Sequence, residues 1–327
     1  MVKASRIALA AVLALGAAGL SAAQDTQPNV RLAREWVAAA SAFENYTRQA
    51  GAISPGFAGP RDIEGALRVG ASHDAKQVEA GMVAYAALAA VQEPGFVAAV
   101  RRISADPTAR EQLVRRLTEN PDAALELPGA DAAAAHARDA LLRQIEPLIA
   151  DGRRVKQAAY DVQHHSWSKV MVKDAPARLA LVKQLSARPF SPRDEDANRL
   201  FLAVTARIEP GSTLSPSRVV TNGLAVAALA LAGRAGDEDA EAVRPLMSDP
   251  GGASCLRMAK LNLFQCMAVA GPHYEDVFCL GEHAMIEPGQ CMAKAAGADG
   301  SARSVKVAEA GGTLIPVAAS RGRAGER

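Results

Sequence analysis

The sequence predicts an all-α fold: a multi-helix globular bundle with a C-terminal disulfide-stapled helical hairpin and a mobile tail. Three observations point there. Apolar residues recur at three- and four-residue spacing through most of the chain, period-two alternation is scarce, and all four cysteines fall between positions 255 and 291. The 327 residues include 72 alanines and only 13 aromatic positions. Small side chains let helices approach closely, but each buries little apolar area.

The chain opens with Lys3 and Arg6, an unbroken stretch of apolar residues and glycine from Ile7 to Leu20, and the small residues Ser21, Ala22 and Ala23. This is the three-part plan of a secretory signal peptide, with cleavage expected after Ala23. The apolar stretch, about 14 residues, is short for a membrane span. No cysteine follows the cleavage site, which argues against a lipid anchor there. Removal of residues 1–23 leaves 35 basic and 35 acidic side chains. Bulk electrostatic capture of nucleic acid or anionic membrane is therefore not expected, although local patches remain open.

Beyond the leader, the chain reads as an N-terminal helical segment (24–128), a central helical segment with a long helix (129–250), a stapled hairpin (251–293) and a disordered tail (294–327). Val30 to Ala50 places Leu32, Trp36, Ala39, Phe43 and Tyr46 on one stripe. Gly51 to Pro60 reads as a loop, and Asp74 to Val91 as a helix. Pro94 starts another, and Asp106-Pro107 supplies a cap and a first-turn proline for the next, which Asn120-Pro121 ends. The longest helical run is Ala130 to about Val172, with Pro147 and Gly152 as expected kinks or breaks. Shorter helices follow at Ala177–Ala187, Asp194–Ile208, Ser217–Ala232 and Asp239–Met247, for ten to twelve in all. Val204 to Ile208 and Gly312 to Ala318 are the two strand candidates. Gly223 to Gly233 is charge-free, but about eleven helical residues rise only ~16 Å, so it reads as a buried helix and not as a span.

The cysteine spacing constrains the pairing. Residues 254–269 read as one helix, on which Cys255 and Cys266 share a face but lie ~16 Å apart along the axis. A disulfide bridges at most ~7 Å between Cα atoms, so these two cannot bond to each other. Gly271-Pro272 ends the helix, and both remaining pairings, Cys266–Cys279 and Cys255–Cys291, are centred on that turn. Two nested bridges closing an antiparallel hairpin follow, with Pro288-Gly289 expected to break the second arm before Cys291. Zinc or redox chemistry would favour closely spaced cysteines, and none occur. Over about 40 residues the pattern resembles the twin-CxnC hairpins of the coiled-coil-helix proteins, with intervals of ten and eleven residues in place of nine. The resemblance is one of geometry and implies no activity.

One further run carries candidate chemistry, Tyr160 to Lys169. On a continued helix Tyr160, His164, Trp167 and Met171 would share a face, and Asp161 would pair with His165. The strip Tyr160, Asp161, His164, His165 and Trp167 is thus a candidate ligand-facing surface, weighed against a buried aromatic stripe with a surface Asp–His pair. Ser166-x-x-Lys169 matches the spacing of exported serine acyl enzymes, but their companion motifs are missing. His273, Glu275, Asp276, Glu282 and His283 flank Cys279, while His73 and His136 stand alone. No catalytic, cofactor or metal signature is present. The expectation is an exported, non-catalytic helical protein of the bacterial cell envelope or medium, acting on an envelope protein or polymer. The alternatives are an envelope hydrolase or metal-dependent enzyme built on His164, His165 and nearby acids, and a carrier with an apolar cavity.

Overall fold

A computed structural model describes residues 30–206 and 216–298. The expected leader, the Gly312–Ala318 alternation and the expected tail beyond residue 298 lie outside the described residues. These residues form α1 (Arg34–Ala50), α2 (Pro60–Ala71), α3 (Ala75–Ala90), α4 (Pro94–Ser104), α5 (Pro107–Glu119), α6 (Ala130–Val162), α7 (Ala175–Ser186), α8 (Asp194–Thr205), α9 (Arg218–Leu231), the single turn α10 (Ala240–Val243), α11 (Pro250–Val269), α12 (His273–Gly281) and α13 (Glu287–Ala295). There is no strand among them, only an isolated bridge between Met171 and Pro272. The Val204–Ile208 alternation is corrected accordingly, since Val204 and Thr205 lie in α8.

Local signals position most helices. The Asp74 and Asp106 carboxylates accept from the Gln77 and Ala109 backbone amides at 2.8 and 2.7 Å, and Ser217 caps α9 in the same way. Helix α2 occupies a stretch not assigned from sequence. It starts at Pro60 and buries Ile63, Ala66 and Leu67.

The core is organised around α3, which is buried on nearly every side. Small residues set its crossings. A Cβ on Gly81 would lie 2.2 Å from the Ala39 carbonyl oxygen of α1, and one on Gly223 of α9 would lie 2.6 Å from Ala86 Cβ. Phe43 meets Tyr85 edge to face at 5.1 Å. The alanine-rich composition thus becomes close helix packing, and one hydrophobic cluster extends from Ala33 to Ala296. Gly223 and its neighbours are buried as expected. No single helix among the described residues is long and apolar enough to cross a membrane.

Replacing Gly81 by Ala should therefore destabilise the protein by about 2 kcal/mol, because overpacking against the Ala39 backbone outweighs the gain in helix propensity. Gly65, in α2, has no atom within 4 Å of its Cβ position. Gly65→Ala should stabilise by about 0.5–1 kcal/mol. Urea midpoints of the two variants would test the pair, and equal shifts would contradict the close α1–α3 crossing.

Helix α6 runs unbroken through both Pro147 and Gly152. Pro147 is tolerated inside it, and Gly152 is a contact point and not a break. A Cβ there would sit 2.8 Å from Met285 Cβ, and one on Gly281 would sit 2.5 Å from the Lys156 amide. The C-terminal half of α6 is thereby the platform on which the hairpin rests.

Candidate functional site: the outer face of the stapled hairpin

Helix α11 begins at Pro250, with the Asp249 carboxylate accepting from the Gly252 amide at 3.0 Å. Its inner face buries Leu256, Ala259, Leu263 and Met267. After Gly271-Pro272 the chain reverses into α12, and the Glu275 carboxylate accepts from the Gly271 amide at 2.8 Å. Both nested bridges are formed. The Cα separations are 5.7 Å for Cys266–Cys279 and 5.6 Å for Cys255–Cys291.

The second arm differs from expectation. Pro288-Gly289 does not break it: α12 passes through a π-turn, Glu282–Ile286, straight into α13. Pro288 lies in the first turn of α13, where its missing N–H is tolerated most easily. Gly289 lets Ile149 of α6 approach, with Ile149 Cγ1 2.5 Å from the position a Cβ would take. The outer bridge thus joins two helices. Helix α13 continues to Ala295 and Ala296 is buried, so the packed structure extends past the expected start of the tail at 294.

A buried ion pair ties the hairpin turn to α7. Arg178 donates to the Asp276 carboxylate at 2.6 Å, and to the carbonyl oxygens of Met267 and Ala270 at 2.6 and 2.9 Å. One guanidinium thereby satisfies the end of α11 and the start of α12. Burial pushes the Asp276 carboxyl up to about 6, against the opposite pull of Arg178. Asp276 and His283 do not share a task, since His283 faces Glu287 at 3.0 Å.

The segment 163–172 departs from the helical reading. Helix α6 stops at Val162 because Ser168, in a short 3-10 turn, donates its hydroxyl to the Val162 and His165 carbonyl oxygens. Tyr160, on the last turn of α6, is half exposed and meets Phe278 edge to face at 6.5 Å. Asp161 is exposed and accepts from Gln157 at 3.3 Å. His164 and His165 lie beyond the helix and are exposed, with the His165 ring 6.3 Å from Trp167, which packs against the core. The common helix face assumed for Tyr160, His164, Trp167 and Met171 therefore does not form. Ser166 and Lys169 are both exposed. No group of three or more His, Cys, Asp and Glu side chains that could hold a metal occurs among the described residues.

This segment instead reaches the hairpin turn. The Val172 amide donates to the Gly271 carbonyl at 2.9 Å and the His273 amide to that of Val170 at 3.2 Å. Met171 lies over Gly271. Three large apolar side chains point outward along α11: Met258, Leu261 and Val269 are 55%, 51% and 83% exposed. Val170 and Met171, also more than half exposed, extend this apolar row at the turn.

No protein-family model, curated protein or solved structure matches the chain. The site's own geometry defines what it can do. It is a rigid, covalently closed hairpin presenting an apolar outer stripe, interrupted by Gln265 and flanked by Arg257. Sequence reasoning did not find Arg178, because nothing local marks it as the partner of Asp276. The outward placement of Met258, Leu261 and Val269 has a partial signal in their helical spacing, but which face turns inward depends on packing.

Proposed function

We propose that this is an exported, non-catalytic helical protein of the bacterial cell envelope or medium that binds an envelope protein or polymer through the outer face of its stapled hairpin. The observation that carries the reading is the row Met258, Leu261 and Val269, extended by Val170 and Met171 at the turn. Exposed apolar side chains grouped on one rigid element are characteristic of interaction surfaces. The leader-like start of the chain supports export. So do the two bridges, which suit an oxidising compartment.

Photo-crosslinking tests the surface. A crosslinking residue placed at Leu261 or Val269 of the mature protein, residues 24–327, should trap a defined partner from envelope extract. The same residue at the exposed, distant positions Arg102 and Glu119 should not. The expected yield at Val269 falls when Met258 and Leu261 are changed to Glu or when the extract is prepared with reductant. Equal trapping at all four positions would overturn the assignment.

A further inference from the structure

A second feature belongs to neither the hairpin nor the platform beneath it. Arg31 ahead of α1, Arg101 and Ser104 near the end of α4, Arg110 of α5, and Ala232-Gly233 after α9 line an open cleft of about 390 Å³. Its walls carry three guanidinium groups and no carboxylate. Arg31 and Arg101 have no hydrogen-bond or ion-pair partner among the described residues. The carboxylate nearest Arg110 is Glu111, 3.7 Å from Nη2, and that oxygen is already held by Arg234 at 2.5 Å. Arg234 also holds the Glu111 carboxyl below its ordinary range, so it remains an anion neutralised by a cation outside the cleft.

Two donors of the lining residues are set apart by their burial. Ser104 Oγ and Arg110 Nε are both buried and lack a hydrogen-bond partner. An unpaired buried donor forfeits its hydration without compensation, and two of the buried side-chain atoms without a partner among the described residues belong to residues lining this cleft. The ends of α4 and α9 explain part of the charge, since a helix C-terminus attracts cations. They do not explain the two buried donors. Gly233, at φ +73, ends α9 in the left-handed conformation and has nothing within 4 Å of its Cβ position, so no side chain fills the mouth there.

We propose that this cleft is a binding site for a tetrahedral oxyanion, either free phosphate or the phosphoryl group of a small ester. Guanidinium groups pair with such oxygens through charge-assisted, often bidentate, hydrogen bonds. The volume leaves room for a phosphoryl group and a short organic body.

Calorimetry on the mature protein at constant ionic strength, with chloride as the balancing anion, tests this with inorganic phosphate and with glycerol phosphate. Binding is expected with a Kd of about 1 mM or tighter. Arg31→Ala and Arg101→Ala, at exposed positions that should leave the circular dichroism spectrum unchanged, should each weaken it by about 10-fold. Arg102→Ala, outside the cleft, should leave it unchanged. Tighter binding of glycerol phosphate identifies an ester as the ligand, whereas equal binding identifies free phosphate. Absence of binding to both, or an equal loss in Arg102→Ala, would overturn the proposal.

Discussion

Reduction of both disulfides is expected to lower the stability of the protein by about 6 kcal/mol, a large fraction of what a domain ordinarily has. The bridges close loops of 13 and 36 residues in sequence separation. Loop-closure entropy assigns about 3 kcal/mol to the inner bridge and somewhat more to the outer one, less what the inner already removes from the larger loop. The effect should be local before it is global. Amide exchange in α11–α13 should accelerate first, because Phe43, Tyr85 and the α3 crossings do not depend on the hairpin cysteines. Urea midpoints with and without reductant give the total, and a shift equivalent to less than about 1 kcal/mol would mean that helix packing alone closes the hairpin. Non-reducing peptide mapping is the companion measurement, and recovery of a Cys255–Cys266 peptide would refute the nested pairing.

The second large effect concerns Lys260, whose ammonium group is buried beneath the α2–α3 connection. Its Nζ donates to the carbonyl oxygens of His73 and Ser186. Burial pushes its pKa down to about 7, with Asp74 opposing. His73, stacked on Tyr46 at 3.9 Å, is held neutral by burial and then by Lys260. An unfolded chain regains the ordinary lysine pKa and so binds the Lys260 proton more tightly between about pH 7 and 10. Stability should therefore rise with pH through that window, by on the order of 4 kcal/mol for this one group. Above pH 10 the trend reverses, because burial raises the hydroxyls of Tyr46 and Tyr85 and they remain protonated only in the folded chain. Lys260→Met should flatten the rise. Urea midpoints of both proteins from pH 7 to 9.5 test this, and parallel pH profiles would refute it.

Much of the fold was legible because its signals are local. Asp74, Asp106 and Ser217 announce helix starts, and the symmetry of four cysteine positions about Gly271-Pro272 announces the hairpin. The errors came where a distant group decides a local outcome. Nothing in residues 160–172 resembles a stop, yet Ser168 folds back to cap Val162 and ends α6. Pro288-Gly289 resembles a stop, but the proline falls in the first turn of α13 and Gly289 packs against Ile149 of α6. Helix α2 was obscured by the glycines and prolines just before it. The candidate site was less legible than the fold. Arg178 joins Asp276 across 98 positions, and the basic cleft draws on four separate helix ends, so neither is visible as a motif.

The π-turn has a consequence for how the hairpin tolerates changes in length. Ten residues separate the cysteines of the first arm and eleven those of the second. On a regular helix Cys291 would then lie about 120° around the axis from Cys279, away from the seam it must share with α11. A π-turn accommodates one surplus residue within a helix. With that residue discounted, the second arm matches the first, and both of its cysteines return to within about 20° of one line. The turn at Glu282–Ile286 is thus a phase corrector. It marks the place in the hairpin where a residue can be lost without moving either sulfur off its partner, and α11 has no such place.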